Sequence, residues 1–392
     1  MDILTPNLQT TLVDTYRDDL LFCRGGECVV ERFSRSGLAL FRRCRRRWLL
    51  SRQYQPVEEP NAALWFGTGF HFALEDVHGY KRWPNGLQAF EAYALAHPRD
   101  QRPDNWSDLV ELAAGMLSYY EDYWLKENES DYRTLAVEDK FDIPIKTGIY
   151  ITGTIDRIVL HEPTGFLYVE EDKTTSINNL RTELLDTDWQ IAVYWWAANT
   201  KYSKLDYDVN GILYKQFLKQ APELPMQLQN GKYTQNISNL KYVPTYIYEE
   251  LVGNDPSYRQ TLLFLRERKD PFILQHIIRK NIHNILSTES QLRAQSLDAV
   301  RVLDAANTKG LDNPAAYPNH EDSCVRCPFR SVCISMDNGT DWQEQLADPD
   351  SYTVRKNSEE GDYDKPWLRQ IRFPPPKQEL LFDRSQTDVG SG

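Results

Sequence analysis

Residues 153–158 read GTIDRI and residues 168–175 read YVEEDKTT, and the stretch between them contains EPTG at residues 162–165. Both segments have the composition of β-strands, and Pro with Gly marks a turn, so the sequence predicts a β-hairpin. Alternate side chains of a strand share a face, so Glu171 points away from Asp172. The pattern therefore places two acidic side chains and a lysine on neighbouring strands.

The two acids are Asp156 and Glu171, and the lysine is Lys173. This layout is typical of a magnesium-dependent phosphodiesterase site, because Mg²⁺ prefers one or two carboxylates plus waters and activates a bound water. The ammonium group of Lys173 can hold that water or the scissile phosphate. The same pattern also describes a hairpin with a solvated charged face, which is common.

Two further segments carry polar side chains that are spaced one helical turn apart. His71 and Glu75 have the i,i+4 relation in GTGFHFALE, and Gln190 and Tyr194 have it in WQIAVYWWAA. Each has an ordinary structural alternative. His71 stands between two phenylalanines and could be a core or capping histidine, and the other pair could simply pack a helix.

The ordered set Gly-x3-His, Gly-x2-Asp, Glu-x-Lys-Thr and Gln-x3-Tyr resembles the PD-(D/E)XK nuclease superfamily, specifically its RecB-like branch. The resemblance implies an α/β fold with a restriction-endonuclease-like core, in which helices flank a central mixed β-sheet. It implies metal ligands at His71, Asp156, Glu171 and the Asp172 carbonyl. The catalytic set it implies is Asp156, Glu171 and Lys173, supported by Gln190 and Tyr194. Aspartate is more frequent than glutamate at the position of Glu171, and the longer side chain still reaches a cation.

Three closely spaced cysteines supply an independent signal. Cys324, Cys327 and Cys333 form C-x2-C-x5-C, a spacing at which thiolates can converge on one metal centre, and three ligands imply a fourth elsewhere. Cys44 ends the segment SRSGLALFRRC, which resembles the opening of RecB-like nucleases with an iron–sulfur staple. That subset includes AddB-type repair nucleases and CRISPR-associated adaptation nucleases. The resemblance implies that these four cysteines hold a [4Fe–4S] cluster.

Alternatives to this cluster remain open at the level of the sequence. Zn²⁺ also accepts four thiolates, so the spacing does not separate zinc from iron–sulfur. Cys23 and Cys28 form C-x4-C and could supply the fourth ligand, or could be free thiols or small buried residues. A disulfide framework is not expected, because the chain is long enough for a core and shows no signal peptide.

The composition is that of a large soluble protein. The chain has 392 residues, 41% of them hydrophobic, which suffices for one large domain or two. No apolar stretch approaches the roughly 20 residues of a membrane span, so we expect a cytoplasmic protein without a membrane partner.

The net charge of −12 is unusual for a nucleic-acid enzyme, because binding a polyanion depends on basic groups. A basic segment around Cys44 predicts either a phosphate-contacting stripe or a solvated helical face. Its members are Arg42, Arg43, Arg45, Arg46, Arg47 and Arg52.

The pattern along the chain predicts six segments and no repeat of fixed period. They are a lead-in at 1–33, a helical region at 34–130, the catalytic core at 131–219, a linker and helical block at 220–320, the cysteine staple at 321–335 and an acidic, flexible, largely extended tail at 336–392.

The tail contains QELLF, which resembles the Q-x-x-L-F peptide that binds the bacterial sliding clamp. In that mode Leu381 and Phe382 enter an apolar pocket while Gln378 hydrogen-bonds at its rim. The alternative is a chance apolar cluster that anchors the tail to the rest of the chain.

We therefore expect a Mg²⁺- or Mn²⁺-dependent DNA nuclease, an exonuclease that acts on single-stranded ends in recombination, repair or phage DNA metabolism. One of Trp189, Trp195 and Trp196 could stack on an unpaired base, although core packing is the alternative for each. Two other functions remain open: a trimming nuclease of the CRISPR-adaptation type, and a DNA-end-binding or scaffolding subunit with weak or no nuclease activity.

Overall fold

The structure is a computed structural model that describes residues 23–24, 27–28, 30–57, 59–176, 182–205, 207–319 and 322–355. These residues form two compact units, and each unit is built from separate stretches of the chain. In the described part, the first unit comprises residues up to 57, 140–154 and 281–355. The second unit comprises residues 59–139 and 155–280.

The strands, in chain order, are β1 (Cys23–Arg24), β2 (Glu27–Cys28), β3 (Glu31–Ser34), β4 (Tyr54–Pro56), β5 (Tyr132–Lys146), β6 (Ile149–His161), β7 (Phe166–Thr175), β8 (Val209–Leu218), β9 (Ile273–Ile278) and β10 (Tyr352–Val354). The helices are α1 (Arg35–Arg43), α2 (Arg45–Gln53), α3 (Ala62–Glu75), α4 (Gly86–Ala96), α5 (Trp106–Tyr119), α6 (Leu125–Asn128), α7 (Trp189–Tyr202), α8 (Thr245–Val252), α9 (Arg259–Glu267), α10 (Ile282–Lys309), α11 (Arg330–Asn338) and α12 (Trp342–Ala347). A π-helical segment continues α3 over Asp76–Tyr80, and another continues α5 over Tyr120–Trp124.

The second unit contains a mixed sheet. In it β7 pairs antiparallel with β6 and parallel with β8, and β8 pairs antiparallel with β9. Helix α7 contacts β7 and β8, and α3 contacts β7. In the first unit, β3 pairs parallel with residues 149–152 of β6. This is the predicted α/β architecture, a central mixed sheet flanked by helices.

The predicted hairpin is confirmed. Residues 162–165 form the turn between β6 and β7, and Gly165 adopts φ +71° there, a left-handed conformation that favours glycine. The Gly165 N–H donates to the His161 carbonyl at 2.9 Å. The turn fixes the register of the two strands that carry the acidic residues.

Side-chain caps set the starts of the two helices that carry polar pairs. Asn61 Oδ1 accepts from the N–H groups of Ala63 and Leu64 in the first turn of α3, at 3.0 Å each. Asp188 Oδ1 accepts from the N–H groups of Gln190 and Ile191 at the start of α7, at 2.7 and 3.1 Å. Such caps satisfy donors that otherwise lack a partner, so they fix where each helix begins.

The aromatic core of the second unit lies on one face of its sheet. Phe70 of α3 packs edge-on against Phe217 of β8, with ring centroids 5.1 Å apart, and Tyr120 packs against the same ring. Helix α4 lies close to α3, because a Cβ atom at Gly69 would stand only 2.5 Å from the Tyr93 ring. Each aromatic side chain that is fully buried here contributes about 1.5–3 kcal/mol.

One strand lies where the sequence predicted no strand. Strand β9 lies within residues 220–320, where the sequence indicated a linker and helices. The short apolar run that contains it, FILQHII at residues 272–278, does not distinguish a strand from a buried helical turn.

The expectation of an extended tail from residue 336 needs correction as far as residue 355. Helix α12 follows α11, and β10 pairs antiparallel with β4. Leu346 and Tyr352 are buried together with Leu50 and Phe329, so a few apolar anchors order a polar segment. The QELLF segment lies outside the described residues. Within the described parts, the helices are too short or too polar to cross a bilayer.

Candidate active site

The predicted catalytic residues all lie in the second unit. His71 is on α3, Asp156 on β6, Glu171 on β7 and Gln190 on α7. The ladder of β6 with β7 runs from His161/Phe166 to Arg157/Glu170. Asp156 and Glu171 therefore stand one residue beyond its last pair.

Asp156 connects the two strands and α3. Its Oδ2 accepts a hydrogen bond of 3.0 Å from the Asp172 N–H and lies 3.5 Å from His71 Nδ1. The side chains of Asp156 and His71 are 19% and 25% exposed, so solvent reaches both. His71 and Asp156, which the sequence resemblance groups together, therefore lie next to each other.

Glu171 lies at the centre of a second group. Its side chain is 1% exposed, and its Oε1 contacts both Lys173 Nζ and Gln190 Nε2. Gln190 Nε2 also donates to Tyr194 Oη at 3.2 Å. Gln190 therefore contacts the buried carboxylate directly, and Tyr194 contacts Gln190.

Electrostatics keep Lys173 in its charged form. Partial burial lowers the pKa of Lys173, but the carboxylates of Glu171 and Asp156 outweigh burial and raise the pKa above its usual range. A lysine with a raised pKa is a poor general base. It is suited to holding an anion, such as a phosphate oxygen.

Asp172 faces the other side of the sheet. Its side chain is buried, and its Oδ1 has no hydrogen-bond partner among the described residues. Burial and the neighbouring Glu170 raise the pKa of Asp172 well above its usual range, although Lys215 and Arg157 oppose this. Its backbone N–H, rather than its carboxylate, contributes to the Asp156 contact.

The donor set suits a hard cation. The predicted ligands are two carboxylates, an imidazole and the Asp172 backbone carbonyl, and Mg²⁺ needs only one or two carboxylates because it retains waters. Within the described ranges, no group of three or more His, Cys, Asp or Glu side chains is arranged to hold a metal ion. Any divalent cation here would thus rely partly on water ligands.

A small cleft adjoins this site. Its lining includes His71 and Asp156 together with Glu75 and Glu138. Glu138 adopts φ +46°, which is uncommon for a side chain other than glycine and is found often at functional sites. The sequence pattern does not single out Glu138, since its position in a run of strand residues carries no signal of this conformation.

The predicted cluster cysteines are free thiols in the first unit. Cys44 follows α1 and its Sγ accepts from the Arg47 N–H at 3.4 Å. Burial raises the pKa of Cys327, and the nearby Cys44 and Cys324 thiols raise it further. Burial likewise raises the pKa of Cys333, to which Cys44 contributes. Burial is the main cause of both shifts, and among the described residues these thiols do not form a group arranged to hold a metal ion.

The arginine segment is used largely within the first unit. Arg45 pairs with Asp298, and Arg46 Nη1 lies 2.7 Å from Asp337 and donates to Cys333 Sγ at 3.2 Å. Arg52 lies 3.7 Å from a carboxylate oxygen of Glu31. Arg42 and Arg43 are exposed. Fewer than the six predicted arginines are therefore available to contact phosphate groups.

Two of the three candidate stacking residues belong to the core. Trp195 and Trp196 are 4% and 1% exposed, so base stacking by them is corrected to core packing. Trp189, at the start of α7, is partly exposed. The apolar residues of α7 bury its later turns, whereas Trp189 and Gln190 in its first turn are partly exposed.

Comparison with known proteins adds an independent finding. The family model described as PD-(D/E)XK nuclease superfamily matches residues 32–334. The comparison with curated proteins found no match. A solved structure titled "Crystal structure of SSO0001" is 15% identical, with 78% of this chain and 86% of that chain covered and a TM-score of 0.29.

Proposed function

Because the chain belongs to the PD-(D/E)XK nuclease superfamily, we propose that it is a Mg²⁺- or Mn²⁺-dependent DNA nuclease whose active site is formed by Asp156, Glu171 and Lys173. The observation that carries this proposal is the double contact of Asp156, with His71 on α3 and with the backbone of β7. It joins the parts of the family motif that lie far apart in the sequence.

Asp156 and Glu171 would bind the cation, assisted by His71 and the Asp172 carbonyl. When bound, the cation supplies an activated water and neutralises charge on the phosphate. Lys173, held as an ammonium ion, positions a phosphate oxygen. Gln190 keeps the Glu171 carboxylate in place through its Nε2, and Tyr194 accepts from the same amide.

The substrate that we propose is DNA with single-stranded ends, which the enzyme would degrade as an exonuclease in recombination, repair or phage DNA metabolism. The partly exposed Trp189 supports this, because its ring lies one residue from Gln190 and is a candidate platform for an unpaired base. Trp189→Leu should weaken single-strand binding more than duplex binding.

We also propose that Cys44, Cys324, Cys327 and Cys333 hold a [4Fe–4S] cluster that stabilises the first unit. The C-x2-C-x5-C spacing and the location of all four cysteines in the first unit support it. A metal held by residues from both ends of the chain would restrict the unfolded state strongly. Zinc in place of iron is the alternative that elemental analysis decides.

The nuclease proposal is tested by digestion of end-labelled single- and double-stranded DNA with Mg²⁺, Mn²⁺ or a chelator. We expect cation-dependent shortening of the single strand from its ends. Asp156→Ala and Lys173→Ala serve as matched inactive variants. Equal products from wild type and both variants would overturn the enzymatic proposal, and DNA binding without cleavage would favour an end-binding subunit.

A further inference from the structure

A group of charged side chains is buried in the second unit, on the face of the sheet opposite Glu171 and Lys173. Arg157 of β6, Glu170 of β7 and Lys215 of β8 project from that face, and Glu129 follows α6. Their exposures are 3%, 1%, 0% and 7%, respectively. We refer to these four residues as the buried charge cluster.

The cluster forms a closed ring of ion pairs. Arg157 Nη2 lies 2.7 Å from Glu129 Oε2 and also contacts Glu170. Lys215 Nζ lies 2.9 Å from Glu170 Oε1 and also contacts Glu129. Each base therefore has two acidic partners and each acid has two basic ones, so the ring has no net charge.

Hydrogen bonds through the His78 and Tyr120 side chains connect the cluster to the π-helical segments that follow α3 and α5. Arg157 donates to His78 Nδ1, and His78 Nε2 lies 2.6 Å from Tyr120 Oη. Tyr120 in turn donates to Glu129 at 3.0 Å. Burial, followed by the charge of Arg157, lowers the pKa of His78 well below its usual range, which keeps the imidazole neutral as these hydrogen bonds require.

Stability alone does not account for such a ring. Removing two charges from water is costly, and well-packed apolar side chains in place of a buried ion pair are often no less stable. What ion pairs with fixed donors and acceptors add is geometric specificity, because the partners match in one register only.

The members of the cluster are the direct neighbours of the catalytic acids. Arg157 follows Asp156, and Glu170 precedes Glu171. Arg157 and Glu170 are also the last pair of the β6/β7 ladder, beyond which Asp156 and Glu171 begin. Lys215 lies on the next strand, β8, opposite Asp172 in the β7/β8 ladder.

We infer that the buried charge cluster sets the separation of Asp156 and Glu171, so that Glu129, Arg157, Glu170 and Lys215 are positioning residues for the divalent cation. This inference rests on the proposed function. Glu129, Glu170 and Lys215 act from behind the sheet, and Arg157 also lines the cleft beside Asp156. Loss of the cluster therefore weakens cation binding more than it slows the reaction at saturating cation.

The decisive variant removes one acid and one base together. Glu129→Gln with Lys215→Met keeps the buried charge at zero and leaves the Arg157–Glu170 pair in place. Calorimetry measures the Mn²⁺ dissociation constant, and DNA cleavage is titrated with Mg²⁺. We expect a near-native melting temperature, a Mn²⁺ dissociation constant and a Mg²⁺ midpoint raised at least tenfold, and less than a threefold fall in rate at saturating Mg²⁺.

Two further variants complete the design. Glu129→Gln alone changes few atoms, and it serves if the double variant does not fold, with a smaller shift in the same direction expected. Arg266→Met with Glu249→Gln removes an ion pair at the surface of the same unit, whose side chains are 58% and 34% exposed, and should leave both midpoints unchanged.

The outcomes separate the two proposals. If wild type binds Mn²⁺ and cleaves DNA, unchanged cation midpoints in the folded cluster variants overturn the positioning role. Equal shifts in the surface variant overturn it as well. If wild type neither binds Mn²⁺ nor cleaves DNA, the proposed function fails, and the inference fails with it.

Discussion

The Asp172 N–H donates to Asp156 Oδ2 at 3.0 Å, just beyond the point where the ladder between β6 and β7 ends. A side chain thus takes the place of the next ladder contact, and the carboxylate that does so is one of the predicted cation ligands. The same oxygen lies 3.5 Å from His71 Nδ1. Asp156 therefore has a structural role in addition to the chemical role that we propose, and substitutions can separate the two.

Asp156→Asn should preserve the fold and abolish the chemistry. The asparagine side-chain oxygen can still accept from the Asp172 N–H, but it lacks the charge that binds a cation. Loss of an outer-shell partner typically costs 10–100-fold, so a direct ligand should cost roughly 100-fold or more in cleavage rate. Cleavage kinetics and thermal melting measure the two effects.

Asp156→Ala is the matched comparison, because it removes the acceptor as well as the charge. We expect it to be as inactive as Asp156→Asn and to melt at a lower temperature, by the equivalent of about 1–3 kcal/mol for a lost partner of a partly buried N–H. Equal melting temperatures for the two variants would show that the contact does not hold the strands together.

Lys173→Met should separate cation binding from cleavage. The Lys173 ammonium contacts the buried Glu171 carboxylate, and both Glu171 and Asp156 raise its pKa, so it competes with a divalent cation for Glu171. Removing it should tighten Mn²⁺ binding while cleavage falls by roughly 100-fold or more, since phosphate positioning is lost. Calorimetry and cleavage assays follow the two changes, and weaker Mn²⁺ binding would contradict this role.

The stability of the second unit should fall as the pH drops below about 6.5. Burial lowers the pKa of His78 well below the ordinary histidine value of 6.5, so the unfolded chain takes up a proton there that the folded chain does not. The stability that the neutral His78 side chain contributes is thus fully present above pH 6.5. It is lost progressively at lower pH, with a slope of up to about 1.4 kcal/mol per pH unit for one proton.

Urea unfolding at pH 7.5, 6.5 and 5.5 measures this slope. His78→Gln carries no titrating group and should show a smaller decline over that range, although its stability at pH 7.5 falls because the ring contacts are altered. His161→Gln, at the hairpin turn, is the comparison variant. A decline in His78→Gln equal to that in wild type would assign the acid sensitivity to other groups.

Much of the site followed from the sequence, because the motif residues sit on elements with simple periodicity. Alternation along β7 predicts that Glu171 and Lys173 share a face, and the i,i+4 spacing on α7 predicts that Gln190 and Tyr194 meet. The structure brings both pairs into contact around one carboxylate.

The rest depends on tertiary relations that local patterns do not contain. Glu170 lies on the face opposite Glu171, where the sequence pattern alone suggests a solvated charge. Phe70 and Tyr120 pack on that face, and the Glu170 carboxylate pairs with Lys215 and Arg157 instead. Lys215 and Glu129 are 86 residues apart in sequence. Glu138 is likewise identified by its positive φ, which no spacing encodes.

The four cysteines proposed as cluster ligands should hold iron in the purified protein. Wild type purified without oxygen should be brown and contain iron, and Cys327→Ser should lose the iron and melt at a temperature lower by roughly 10 °C, because metal-binding energy is folding energy. Cys23→Ser with Cys28→Ser is the matched comparison and should retain the iron, since the proposed fourth ligand is Cys44. Iron lost from that double variant but retained in Cys44→Ser would transfer the fourth ligand to the amino-terminal pair. Zinc without iron in wild type would replace the iron–sulfur cluster with a tetrahedral zinc site of the same four thiolates.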